Sequence, residues 1–113
     1  MAGKFELKKS KSGQFMFNLR AGNNQVILTS ELYRDKRGAQ TGIESVKKQV
    51  GDDANYERKT SSKGEPYFVV KTANGKIIGS SEMYSSTQAM EKGIASVKAN
   101  APKATIAVLI AKE

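Results

Sequence analysis

The sequence predicts an α+β fold: one largely antiparallel sheet of about seven strands with two helices packed on it, built from a tandem repeat of two β(3)-α-β units. Three observations carry this reading. The chain has the length of one domain, at 113 residues. Slid against itself by 51 positions, it aligns Phe5 through Gly51 with Tyr56 through Pro102 without a gap. Within each copy the apolar period changes once, from two residues to about 3.6. A single domain over 1–113 follows, with one repeat over about 1–53 and the second over about 54–113.

The identities in the self-alignment run through every segment. Gly13 falls over Gly64, Phe17 over Phe68 and Asn23 over Asn74. The strongest blocks are Ser30-Glu31-Leu32-Tyr33 over Ser81-Glu82-Met83-Tyr84, and Gly42-Ile43-Glu44-Ser45-Val46-Lys47 over Gly93-Ile94-Ala95-Ser96-Val97-Lys98.

In chain order, 4–9 reads as a short strand, and Lys11-Ser12-Gly13 turns it into a second strand over 14–20, where Phe15, Phe17 and Leu19 alternate with more polar positions. Gly22-Asn23-Asn24 and Asn74-Gly75 are hairpin turns, because Asn and Gly best tolerate a positive φ. Third strands follow over 25–32 and 76–83. Asp35 and Ser86 are N-caps. Beyond them Ala39, Gly42, Ile43, Val46 and Val50 form one apolar stripe, and Met90, Gly93, Ile94, Val97 and Ala101 repeat its spacing. Gly51 and Pro102 end the helices.

The segment 104–111 is the most apolar in the chain and reads as a last strand, central in the sheet or covered on both faces. Residues 54–60 would then serve twice, closing the first copy and opening the second. Alternation also sends Met16, Tyr67, Val69 and either Val26 with Ile77 or Ile27 with Ile78 away from the helices. Exchanged strands would cover this second face, or it would be a surface for a partner or ligand.

The Gly13-Gln14-Phe15 turn and strand, Asn74-Gly75, the Ser-Glu-x-Tyr blocks and the Gly-Ile-x-Ser-Val-Lys blocks together resemble the YegP-like proteins, over essentially the whole chain. That resemblance implies two units sharing one sheet with exchange of their C-terminal strands. It implies no activity, and it transfers no functional residue.

With neither cysteine nor histidine, thiol chemistry, disulfides, histidine general bases and the commonest metal ligands are all excluded. No catalytic residue, metal site or cofactor is expected. No apolar run reaches the ~20 residues of a membrane span. The start Met1-Ala2-Gly3-Lys4 lacks a signal-peptide core, so a cytoplasmic protein is expected, away from membranes.

Two constellations remain as candidate sites. Ser30, Glu31 and Tyr33, with Ser81, Glu82 and Tyr84, can line a symmetric binding groove. Alternatively, Ser and Glu end the strand while Tyr packs at the strand-to-helix corner and hydrogen-bonds the backbone. The glycines inside the helices, Gly42 and Gly93, point to close packing on the sheet. The second constellation is cationic. The net charge is +8, and residues 1–51 carry ten Lys/Arg against four acids, whereas 52–113 carry nine against seven. Lys8, Lys9, Lys11 and Arg20 on the first hairpin, with Arg34, Lys36 and Arg37 at the first helix, are candidate phosphate contacts. The alternative is a surface that keeps a small domain soluble.

The expected function is therefore a non-catalytic binding or interaction module of uncharacterised ligand. Its rival is weak, non-sequence-specific nucleic-acid binding through the first repeat. A partner would be nucleic acid or protein, and a monomer with an internal pseudo-twofold is expected rather than an obligate oligomer.

Overall fold

The computed structural model describes residues 3–109. Strands β1 (Lys4–Lys9), β2 (Phe15–Arg20) and β3 (Val26–Ser30) lead into helix α1 (Lys36–Gln49). The second copy repeats the series as β4 (Tyr56–Thr60), β5 (Pro66–Lys71), β6 (Ile77–Ser80) and α2 (Thr87–Asn100), and β7 (Thr105–Leu109) follows. All seven strands form one sheet, in the order β4-β5-β6-β3-β2-β1-β7. Every pairing is antiparallel except that of β7 with β1. The approximate twofold axis runs between β3 and β6, where the two copies meet.

Local chemistry sets the boundaries. Asp35 accepts a hydrogen bond from the Gly38 N–H at 2.7 Å, and Ser86 accepts one from the Ala89 N–H at 3.0 Å. Each of these N-caps satisfies a helix-end donor, worth about 1 kcal/mol. The second hairpin turns adopt positive φ at Asn24 (70°) and at its repeat-mate Gly75 (89°). The register shifts at Leu19/Arg20 and again at Val70/Lys71, so both copies carry the same bulge. Strands β3 and β6 end sooner than the hydrophobic pattern suggests, at Ser30 and Ser80.

Both helices lie on the same face of the sheet, α1 over β1, β2, β5 and β6, and α2 over β3 and β5. Both predicted stripes are buried, and with Phe5, Leu7, Phe17, Leu19, Leu28, Phe68 and Val70 they make one core drawn from both repeats. Lys47 and Lys98 flank it, their ammonium groups 5.9 Å and 5.4 Å from the ring centres of Phe5 and Tyr56.

The last strand corrects an expectation. β7 neither lies centrally nor is covered on both faces: it is the sheet's outermost strand, with Ile106, Val108 and Leu109 about half exposed. The helices sit over the inner strands, so apolar character in β7 reflects pairing with β1 and not deep burial. Residues 110 and 111 of the expected strand fall outside those described. Residues 54–60 do not serve twice either. Residues 53–55 form a 3-10 turn, and β4 pairs with β5 alone.

The exchange thus runs one way: β7 of the second repeat extends the first, while the equivalent place beside β4 holds no strand of the described chain. Sequence differences between the copies follow from this. Leu7 in β1, flanked by β2 and β7, is fully buried. Its repeat-mate Arg58 pairs with Glu91 at 2.5 Å and Asp53 at 3.3 Å, and Lys98 holds Asp53 at 3.1 Å. An edge strand bearing such a charged cluster resists pairing with foreign strands.

Among the described residues no helix packs on the second face of the sheet, and exchange within the plane of the sheet covers neither face. On this open face neighbouring side chains still bury Glu6, Asn18 and Val69. Its middle is a register row of Glu6, Asn18, Thr29, Ser80, Val69 and Glu57. Val26 and Ile77, paired with Arg20 and Lys71, are half-buried, whereas Ile27 and Ile78 join the core.

Candidate functional site

The serines of the Ser-Glu-x-Tyr blocks are structural. Ser30 Oγ accepts the Phe17 N–H at 2.8 Å and donates to the Glu31 carbonyl at 2.8 Å. Ser81 does the same with the Phe68 N–H (3.0 Å) and the Glu82 carbonyl (2.8 Å). At both places the ladder has run out, and the buried hydroxyl supplies the acceptor that the strand end lacks. Glu31 and Glu82 project into solvent.

The tyrosines are held by both main chain and ring. The main chain of Tyr33 exchanges two 2.7 Å hydrogen bonds with Phe15, and the Tyr84 N–H bonds the carbonyl of Pro66, which has no N–H to return. Each ring stacks on the core phenylalanine beside it: Tyr33 on Phe17 at 6.1 Å, and Tyr84 on Phe68 at 6.2 Å. The phenols then cross the helix at Gly42 and Gly93, positions where the missing side chain leaves room for them. The hydroxyls were expected to bond the backbone, yet neither has a hydrogen-bond partner among the described residues. The contrast is Tyr56, whose hydroxyl donates to the Val50 carbonyl at 2.8 Å. Burial first, and then the nearby Glu31 or Glu82, raises the pKa of Tyr33 and Tyr84. Both therefore remain protonated donors at neutral pH.

Each phenol stands in a cleft, and the two clefts are related by the duplication. The α2 cleft is framed by Glu82, Tyr84, Lys92, Gly93 and Ser96 of the second repeat, with Gln25 and Ile27 of the first repeat's hairpin across from them, and its volume of about 700 Å³ includes an extension along the strands to Asn18, Val26 and Thr29. The α1 cleft, of about 480 Å³, is framed by Tyr33, Arg37, Thr41, Gly42 and Ser45 of the first repeat, with Thr72, Lys76 and Ile78 of the second repeat's hairpin facing them. Each cleft combines the helix and tyrosine of one copy with the hairpin of the other. Of the block residues, Tyr33, Glu82 and Tyr84 line clefts, whereas Ser30, Glu31 and Ser81 do not. Gln25, Lys76, Thr41 and Lys92 were not singled out in the sequence, because their meeting depends on how the copies cross.

Two comparisons with solution NMR structures show the same architecture. YegP of Escherichia coli, described as a protein of unknown function, superposes with a TM-score of 0.93 at 50% identity, covering 100% of this chain and 97% of that one. A UPF0339 protein of Shewanella oneidensis gives 0.91 at 50% identity, covering 97% and 93%. By sequence, the chain is 57% identical to a UPF0339 protein of Bordetella pertussis over 92% of its length and 93% of the relative's, and 54% identical to YegP of Escherichia coli K12 over 94% and 96%. The model of the domain of unknown function DUF1508 matches twice, at residues 10–57 and 61–107. The chain belongs to the DUF1508 family.

For a DUF1508 protein these likenesses establish the fold and the duplication, and the names of the relatives specify no activity. Among the described residues no cluster of acidic groups could hold a metal ion, and no helix is long and apolar enough to cross a membrane.

The cationic residues are dispersed by the fold. Lys8 and Arg20 lie on the open face around Glu6, with Arg20 Nε at 2.6 Å and Lys8 Nζ at 3.9 Å. Arg20 also donates to the Asn24 carbonyl. Lys9 sits on the other side, 5.7 Å above the Phe15 ring. Lys11 is in the first turn, Arg34 precedes α1, and Lys36 and Arg37 open it. The seven candidates do not form one strip, and Glu6 already neutralises part of their charge. Its own pKa is held below the usual carboxylate range, chiefly by the Arg20 hydrogen bond, with Lys4 and Lys8 adding to the effect.

Proposed function

We propose that this protein is a non-catalytic, cytoplasmic binding module that takes small ligands in its two duplicated clefts. One observation carries the reading: each cleft presents a half-buried tyrosine hydroxyl that is protonated at neutral pH and unbonded among the described residues. Concave sites with an apolar floor and a few convergent polar groups are the usual form of small-molecule sites. Here Tyr33 joins Thr41, Ser45 and Ile78, and Tyr84 joins Ser96 and Ile27. The residue types favour recognition over conversion, since the walls hold hydroxyls and no histidine, cysteine or paired carboxylates.

The test is a thermal-shift screen of metabolites, in which any native-state ligand raises the melting temperature, followed by mapping of amide shifts. Hits are expected to perturb Gly42 and Thr41, or Gly93 and Lys92. Hits that map only to the open face or to β7 would overturn the proposal.

Weak nucleic-acid binding is the second reading, and the open face favours it in one respect: Lys4, Lys8, Arg20, Lys59 and Lys71 outnumber the Glu6 and Glu57 they pair with. Titration of labelled DNA and RNA at about 50 mM salt tests it, because phosphate contacts are strongest at low salt. Absence of binding there removes it.

A further inference from the structure

The two clefts share their base and differ at their mouths. At the base stand a tyrosine, a helix glycine and a serine in both: Tyr33, Gly42 and Ser45 in one, Tyr84, Gly93 and Ser96 in the other. At the mouth, Lys76 in the α1 cleft replaces the Gln25 of the α2 cleft, and Thr41 replaces Lys92. Arg37 also lines the α1 cleft, and its repeat-mate is the neutral Gln88.

Charge therefore separates two sites of common origin. The α1 cleft is lined by Arg37 from the first repeat and Lys76 from the second, and neither has an ion-pair partner among the described residues. The acid that shares the cleft, Asp35, uses its carboxylate to cap the Gly38 N–H at 2.7 Å. The α2 cleft balances Lys92 against Glu82.

Granted the binding role proposed above, we propose that the α1 cleft takes a small organic monoanion, a carboxylate carried on an aromatic or branched apolar body, and that the α2 cleft does not discriminate in favour of anions. The apolar body rests on Ile78 and the face of Gly42. The carboxylate meets Arg37 and Lys76 and accepts a hydrogen bond from the Tyr33 hydroxyl, a charge-assisted bond of the stronger kind. Placing one cation on each repeat makes this site a property of the assembled domain: neither repeat alone can supply both.

The experiment uses the intact protein labelled with 15N and three probes of one shape: benzoate, neutral benzamide and cationic benzylamine. Amide shifts are followed at Gly38, Thr41, Gly42 and Thr72 for the α1 cleft, and at Ala89, Lys92 and Gly93 for the α2 cleft. Benzoate should saturate the α1 cleft at least about tenfold more tightly than benzamide, as expected when a ligand charge meets two cations. Arg37→Gln and Lys76→Gln import the neutral residues found in the other repeat, so the fold should tolerate them. Each should weaken benzoate at least about threefold and leave benzamide unchanged. Tyr33→Phe should weaken both probes. Equal affinity of benzoate and benzamide in the α1 cleft, or benzoate unaffected by Arg37→Gln and Lys76→Gln, overturns the anion assignment and leaves the binding role standing. Benzoate shifts confined to Lys4, Lys8 and Arg20 on the open face overturn it as well. Absence of binding by all three probes at both clefts overturns the anion assignment, and the screen described above then decides the binding role separately.

Discussion

Gly93 and Tyr84 fit together only because the glycine has no side chain: a Cβ at Gly93 would stand 2.6 Å from Tyr84 Cζ. The pair Gly42 and Tyr33 repeats this relationship, also at 2.6 Å. The tyrosine ring stacks on its other side against Phe68 or Phe17, so moving away from a new Cβ would disturb that stacking.

Gly93→Ala and Gly42→Ala should therefore destabilise the protein, although alanine in a helix interior normally gains about 1 kcal/mol over glycine. Overpacking against an aromatic ring costs about 1–3 kcal/mol and wins. In a Tyr84→Ala background the sign should reverse, with Gly93→Ala becoming stabilising. Urea denaturation of the four variants completes the cycle, and a stabilising Gly93→Ala in the native background would refute the packing account.

Ser30→Ala and Ser81→Ala remove the acceptor of a buried main-chain N–H, which costs about 1–3 kcal/mol when nothing replaces it. Each should lower the unfolding free energy by that amount, seen as a lower denaturation midpoint with an unchanged slope. Glu31→Gln and Glu82→Gln, on exposed carboxylates, should change stability little. If the serine and glutamate variants were alike in stability, the strand-end role of the serines would be wrong.

Glu6 makes a pH-dependent contribution. Only 7% exposed and hydrogen-bonded by Arg20, it has a depressed pKa. A carboxylate whose folded pKa is lowered stabilises the protein above its unfolded pKa, and that contribution is lost as pH falls through the folded value. The loss should begin below about pH 4.5. Glu6→Gln should flatten stability against pH in this range. Glu57→Gln should flatten it less, because the Glu57 side chain is 42% exposed to solvent. An identical acid limb in wild type and Glu6→Gln would refute the assignment.

Ending the chain after Lys103 should uncover the β1 edge and destabilise or dimerise the protein, through lost strand pairing more than lost burial, since β7 is itself about half exposed. Ile106→Ser in the full chain should accordingly cost much less than the truncation. Sedimentation and thermal melting read both outcomes. A truncated protein that stayed monomeric with unchanged melting would show that β7 is dispensable.

Much of the fold is present in local sequence because it rests on local physics. Period and capping marked both helices at Asp35 and Ser86, and the 51-residue offset paired β1 to β3 and α1 with β4 to β6 and α2. The same reading misjudged β7, because a run of apolar residues records that a strand pairs somewhere without saying which edge it takes. For the Ser-Glu-x-Tyr blocks it left a lined groove and a strand end with a packed tyrosine as alternatives, and the structure distributes the residues between them: a serine that ends the ladder, an exposed glutamate and a tyrosine that enters a cleft.

By itself the sequence determined the duplication, the α+β class, the buried stripes and the positions where glycine is required, all of which follow from spacing along the chain. Only the tertiary structure decided that α1 faces the second hairpin and α2 the first, and hence that Lys76 shares a cleft with Arg37 and Gln25 shares one with Lys92. It also decided that Arg20 is bound to Glu6, and so is not a free cation of a basic strip. The physical reason is range: propensity and periodicity act within a few residues, whereas these pairs join residues 14 or more positions apart, and the two cleft pairs depend on a strand order that the packing of two copies into one sheet alone selects.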